Sequence, residues 1–210
     1  MSDLLPLFPL PNVVLFPGVF LPLHIFEPRY REMVADALSS DRMIGMVLLR
    51  PGWQHEYEGR PAVYPVGCSG VITHAERLAD GRYNIVLRGV ERFRILEEEH
   101  AKAYRRAIVE PLVERALEPR DRDTLRTCRA KLESLLTPID RASADARMPS
   151  AMPDEDLINT LAQYLDLEPL EKQALLEHTS LRSRAQTLVE LLEMKMLALK
   201  ASGGGSTLAH

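Results

Sequence analysis

Pro6-Leu7-Phe8-Pro9-Leu10-Pro11-Asn12-Val13-Val14-Leu15-Phe16-Pro17-Gly18, continuing through Leu21-Pro22-Leu23-His24-Ile25-Phe26-Glu27-Pro28-Arg29-Tyr30, is too apolar for a surface and too broken by proline for a helix. Proline removes a backbone donor and fixes φ, so the stretch belongs to buried, extended backbone at sheet edges and bends. Leu4 to Leu7 and Val19 to Ile25 are strand candidates on either side of a proline-bounded loop. Helix is expected from Pro28, because proline is tolerated at the first helical position and Tyr30, Met33, Val34, Ala37 and Leu38 then share one apolar stripe.

Outward from this segment the β character persists. Met43 to Leu49 is apolar enough to lie in the middle of a sheet, whereas residues 51 to 63 form a polar loop carrying Trp53, the single tryptophan. Val66 to Leu78 and Arg82 to Leu87 flank Ala79-Asp80-Gly81, whose Asp-Gly pair signals a hairpin. Gly89 suggests a bend before Val90 to Leu96, and Tyr104 to Val113 alternates as a last strand.

After Pro119 the pattern changes to leucines spaced by three and four with no glycine in 120–136 or 154–199. Leu125, Leu132 and Leu136 mark one helix; Leu157, Leu161 and Leu165 mark a second, opened by Pro153 and the acidic turn Asp154-Glu155-Asp156. Leu170 to Glu177 is a short third, and Leu181, Leu188, Leu192 and Leu199 lie on a longer fourth. Residues 138–152 read as a loop between helices. The expected organisation is a β-rich domain over 1–115, a helical domain over 116–200 and a disordered tail over 201–210.

Composition narrows the function classes. A chain of 210 residues that is 46% hydrophobic can bury a core. Residues 1–114 hold 13 Lys+Arg against 15 Asp+Glu, and the remainder holds the same numbers, so neither half carries a basic nucleic-acid footprint. Cys68 and Cys128 stand alone, which fits free thiols in a reducing compartment. The N-terminus lacks an export-signal pattern, and the most apolar run, Val13 to Leu23, is 11 residues with Pro17, Gly18 and Pro22 inside it. A cytoplasmic protein with no membrane partner is expected.

No glycine-rich stretch matches a phosphate-cradling loop, and neither His-Glu-x-x-His nor Gly-x-Ser-x-Gly occurs. The six histidines, at 24, 55, 74, 100, 178 and 210, lack metal-ligand spacing. The five lysines, at 102, 131, 172, 195 and 200, lie in polar or helix-surface contexts that give no desolvated partner for a nucleophile. No catalytic residue, metal or cofactor is therefore expected. His24 is read as a partly buried imidazole hydrogen-bonded to backbone rather than a general base, and Glu27 and Arg29 as a scaffold pair at the helix start. Arg88, Arg92 and Arg94 share a strand face unless Gly89 introduces a bulge, and that face is read as solvated or glutamate-paired rather than phosphate-binding. Trp53 and Tyr57, aromatic residues in a polar loop, are the candidate protein-binding side chains.

The segments Pro6–Leu10, Val14–Gly18, Pro22–Tyr30, Gly45–Leu48, Val66-Gly67, Asp80-Gly81-Arg82 and Gly89-Val90-Glu91-Arg92-Phe93 together resemble the amino-terminal, substrate-binding domain of the Lon family of ATP-dependent proteases. Glu171–Glu177 followed by Arg184 resembles its helical part, so the likeness spans about residues 4–199. The resemblance implies an α+β chain with a PUA-like β pseudo-barrel followed by an α-helical bundle. It also implies mainly structural roles for His24, Glu27, Arg29, Tyr30, Gly67, Gly81, Arg82, Gly89, Arg92 and Phe93. The chain holds neither the ATPase nor the serine-lysine peptidase pattern of the full proteases. The implied function is a non-catalytic peptide-binding module, acting as an adaptor for unfolded or extended polypeptide and a protease or chaperone that receives it. The alternative is an RNA- or nucleotide-binding role, which rests on the PUA-like fold alone.

Overall fold

The computed structural model describes residues 4–56, 59–136 and 152–203. Tyr57, all but the last residue of the expected 138–152 loop and most of the expected tail lie outside the described residues. In chain order the elements are β1 (Leu5–Leu10), β2 (Phe20–Ile25), α1 (Pro28–Leu38), β3 (Met43–Leu48), a 3-10 turn (Trp53–Glu56), β4 (Val66–Arg77), β5 (Tyr83–Glu99) and β6 (Arg105–Pro111). Four helices follow: α2 (Pro119–Leu136), α3 (Asp154–Tyr164), α4 (Pro169–Glu177) and α5 (Leu181–Gly203). Two compact units result, one of Met1–Val113 with Asn159–Glu177, the other of Glu114–Ile158 with His178–His210.

In the first unit six strands form one mixed sheet in the order β2-β5-β4-β3-β1-β6. Only β1 and β3 run parallel, Leu7 facing Gly45 and Leu10 facing Leu48. β5 is 17 residues long; its first part pairs with β2 and its last part, from Phe93 on, pairs with β6. The expected PUA-like pseudo-barrel is corrected by this topology. β2 pairs with β5 alone among the described residues, so the sheet keeps a free edge there and is not a closed barrel. The fold is α+β, with a mixed sheet and several helices. The physical reason lies in β2 itself, where Pro22 lacks the amide that a second neighbour would need and Phe20, Pro22 and His24 are exposed.

The interior follows the apolar alternation. Leu7, Val47, Phe93 and Ala107 form one buried cluster, with Leu5, Val63, Ile95 and Val109 packed against it. α1 buries Tyr30, Met33, Val34 and Ala37, the stripe set by its spacing. Pro28 opens the helix with Glu27 at the N-cap. The proline-rich loop before β2 meets the sheet at Gly89 of β5, and α3 supplies further partners. Gln163 accepts from the Phe16 amide at 3.2 Å, Asn159 donates to the Pro17 carbonyl at 3.2 Å and Tyr164 donates to the Phe20 carbonyl at 2.9 Å. α4 is tied to the sheet by Gln173, which donates to the Val66 carbonyl at 3.0 Å.

The second unit is built mainly by α2 and α5. Leu125, Cys128, Leu132 and Leu136 of α2 are buried, as are Leu181, Ala185, Leu188, Val189 and Leu192 of α5. Lys131 and Glu193 pair at 2.7 Å and Arg182 and Asp121 at 3.1 Å, while Arg129 holds Asp154 at 2.8 Å.

Candidate functional site

The first unit carries a cleft of about 850 Å³ where the end of β1, the β2–α1 junction, the loop before β4 and the start of β6 converge. Its walls include Pro9, Phe26 to Tyr30, Leu49, Gly59 to Pro61 and Ala103 to Arg105. Each segment arrives for a local reason. The alternation of β2 places Ile25 inward, leaving Phe26 61% exposed on the rim. Pro28 starts α1 and so turns Arg29 and Tyr30 toward the floor.

The floor is rigid. Tyr30 packs on Phe8 with ring centroids 4.5 Å apart, and the Arg29 guanidinium lies 4.7 Å over the Tyr30 ring. Glu27 does not cap the helix with its side chain; its carboxylate accepts from Arg29 at 3.0 Å. Tyr104 is buried and donates to Asp36 at 2.6 Å. That bond holds the Asp36 carboxyl below its ordinary range, with Lys102 acting in the same direction against partial desolvation. Burial, and then the bond to Asp36, push the Tyr104 phenol well above its usual value, so it stays a donor at any ordinary pH.

Arg105 is buried behind the cleft, donating to the Pro61 carbonyl and pairing with Glu98 at 3.3 Å. Burial lowers its affinity for the proton, Glu98 raises it, and the like charges of Arg60 and Arg29 lower it further. Arg60, exposed on the wall, donates to the backbone carbonyls of Glu99 and Lys102 at 3.5 and 3.2 Å. The cleft is thus lined by prolines, leucine and aromatics together with Arg29, Arg60 and Arg105.

Of the residues singled out in the sequence, Glu27, Arg29 and Tyr30 come together here. His24 lies on the open face of β2, where Asn84 faces its Nδ1 at 2.8 Å and Arg82 faces its Nε2 at 3.2 Å; its partners are side chains rather than backbone. Arg82 also binds Asp80 at 2.7 Å beyond the Gly81 turn, where φ is 81°. The imidazole is 6.3 Å from the Phe26 ring, centroid to centroid. Gly67 and Gly89 sit where backbones approach closely, and Phe93 is in the buried cluster. Trp53 is half-buried in the 3-10 turn and is not part of the cleft wall.

The arginine trio does not share a face. Register shifts between Cys68 and Gly70 of β4, because Arg92 faces Cys68 while Gly89 faces Gly70, leaving one extra residue in β5. The extra residue sets Arg88 apart from Arg92 and Arg94, which keep one parity in unbroken register; Arg88 and Arg94 are exposed, while Arg92 is 3% exposed where it donates to the Leu176 carbonyl of α4. Phe26, Arg60 and Arg105 escape the sequence reading. For Phe26 a signal exists, since it continues the outward parity of Phe20, Pro22 and His24. Arg60 and Arg105 carry none, being 45 residues apart in chain positions that only folding brings together.

Residues 4–194 match the family model described as the ATP-dependent protease La (LON) substrate-binding domain. The chain belongs to this family. Two relatives show the extent of the likeness. The Lon protease 2 of Myxococcus xanthus is 29% identical over 206 residues, covering 95% of this chain and 24% of that protein. The Lon protease 2 of Syntrophobacter fumaroxidans is 30% identical over 189 residues, covering 84% of this chain and 22% of that protein. The chain therefore spans about a quarter of the length of these relatives, and the part matched is the substrate-binding domain rather than a catalytic one. In fold, this Lon-type domain is similar to the N-terminal domain of Mycobacterium avium complex Lon protease, with a TM-score of 0.69 at 16% identity over 91% of this chain and 98% of that one. It is also similar to the Lon N-terminal domain protein from Xanthomonas campestris, with a TM-score of 0.60 at 24% identity over 90% and 98% of the two chains.

Proposed function

We propose that this Lon-type domain binds unfolded or extended polypeptide in the cleft beside Phe26, and acts as a non-catalytic adaptor that presents the bound segment to a protease or chaperone. One observation carries the choice of surface: a large aromatic side chain, 61% exposed, stands on the rim of an apolar cleft of about 850 Å³ in a domain of the substrate-binding family. An exposed aromatic over a trough of prolines can take up apolar side chains of many sequences without a fixed partner geometry. Trp53 and Tyr57 precede Gly59 to Pro61 in the same stretch of sequence and stay candidate contacts for a bound segment. Single-site affinity is expected to be modest, about micromolar or weaker, because a flexible segment loses conformational entropy on binding. The buried free thiols Cys68 and Cys128 fit a reducing compartment, and among the described residues no helix is long and apolar enough to cross a membrane; we place the protein in the cytoplasm.

Titration of a labelled, permanently unfolded model protein tests the reading. Saturable binding that weakens about tenfold in Phe26→Ala, with the fold unchanged by circular dichroism, is the expected result. Unchanged affinity in Phe26→Ala would remove the cleft from the proposal. Affinity for RNA alone, falling steeply with salt, would replace polypeptide by nucleic acid.

A further inference from the structure

We infer that the cleft selects extended segments in which an acidic side chain lies next to an aromatic or aliphatic residue, with Arg60 as the group that reads the acid. The inference rests on the polypeptide-binding reading above and adds its ligand class. The walls carry three guanidinium groups, those of Arg29, Arg60 and Arg105, and one carboxylate, Glu27. Arg29 is matched by Glu27 at 2.9 Å and Arg105 by Glu98 at 3.3 Å. Arg60 is different. Its hydrogen bonds go to two backbone carbonyls, and the carboxylate of Glu99 beside it is already taken by Arg106 at 2.7 Å. Among the described residues the positive charge left over in the cleft is therefore that of Arg60, exposed, planar and suited to a carboxylate fork.

The apolar half of the ligand follows from Phe26, Pro9, Pro28 and Pro61 on the same walls. These prolines also decide which kind of carboxylate is read. Capture of a chain-terminal carboxylate uses a nest of successive backbone amides, and Pro28 and Pro61 interrupt two of the runs of residues that line the cleft. Recognition falls to a side-chain guanidinium, which meets an Asp or Glu side chain within a continuous segment.

Short fluorescent peptides, acetylated and amidated at their ends and identical except for Glu or Gln beside a central Phe, test this by anisotropy. The acidic peptide should bind about tenfold more tightly at low salt, and in Arg60→Gln the ratio of the two affinities should fall to about one. Phe26→Ala should weaken both peptides equally. Equal binding of the two peptides to the wild-type domain, or an acidic preference that survives Arg60→Gln, would overturn the selection while polypeptide binding stands. If neither peptide binds and the unfolded model protein also fails, the underlying reading falls and the selection with it. A gain seen only when the amide cap is replaced by a free chain end would overturn the side-chain reading in favour of terminal recognition.

Discussion

Arg92 of β5, 3% exposed, donates to the carbonyl of Leu176 in the last turn of α4 at 3.0 Å. α4 has no basic residue in that turn, so the sheet supplies from 84 residues away the cation that a helix C-terminus favours. Gln173, bound to Val66, fixes the same helix about one turn earlier. Arg92→Met keeps the volume but leaves the carbonyl without this donor in a buried place, and should cost about 1–3 kcal/mol. Arg92→Lys keeps the charge without the planar fork and should cost less. Urea unfolding midpoints of the two variants order the effects; a Met variant as stable as the wild type would show that α4 is held by packing alone.

Gly89 is a point where two backbones meet. Its amide donates to Val19 and its carbonyl accepts from Gly18, each at 2.9 Å, and a Cβ built on it would run into the Phe16 carbonyl. The obstacle is backbone rather than the tip of a flexible side chain, so relief requires moving the proline-rich loop away from β5. Gly89→Ala should therefore lose about 1–3 kcal/mol of stability, read from the shift of the urea midpoint.

Much of the first unit is legible because its signals are local. The Pro28 start and the Tyr30, Met33, Val34 spacing define α1, and Asp80-Gly81 defines the β4–β5 turn, with φ at Gly81 of 81°. What escapes is set by distant partners. No pattern in 159–177 announces that Gln163 and Asn159 satisfy the backbone of Phe16 and Pro17, since those needs lie more than 140 residues upstream. The burial of Arg92 depends on α4, whose Leu176 carbonyl lies 84 residues on, and the extra residue that sets Arg88 apart from Arg92 appears only when β5 is laid against β4. The barrel expected from resemblance fails on β2, an edge that local propensity cannot distinguish from an interior strand except through Pro22. The cleft draws on four separate segments, and its chemistry appears only once they meet.

Tyr104 and Asp36 give the first unit a pH-dependent contribution. The Tyr104 hydroxyl holds the Asp36 carboxyl below its ordinary value, assisted by Lys102 at 3.1 Å. A carboxyl whose folded-state affinity for protons is depressed stabilises the fold fully above its unfolded value of about 3.9, and that contribution disappears as pH falls through the lower folded value. Tyr104→Phe should lose about 1 kcal/mol at neutral pH, a modest figure because Asp36 is partly exposed. The difference from wild type should shrink as pH drops below about 4, where the carboxyl is protonated in both states. Thermal unfolding of both proteins across that range checks it; a difference independent of pH would assign the effect to packing of the phenol.

In the second unit Arg184 is completely buried on α5 and donates to Glu114 at 2.9 Å, while Glu114 keeps 24% of its side chain exposed. The two partners should respond unequally to substitution. Arg184→Ala removes the largest buried side chain of that unit together with the charge that neutralises Glu114, and should cost about 3–5 kcal/mol. Glu114→Gln leaves an oxygen to accept from the guanidinium but puts an amide nitrogen in the buried place now held by Oε1, so about 1–3 kcal/mol is expected. If the arginine acts through the ion pair, Arg184→Met should be partly rescued by Glu114→Gln, since the double variant no longer leaves a carboxylate facing a thioether. If it acts through volume alone, the two substitutions should be additive within about 0.5 kcal/mol. A double-mutant cycle by chemical unfolding, followed with a probe on α2 or α5, separates the two outcomes.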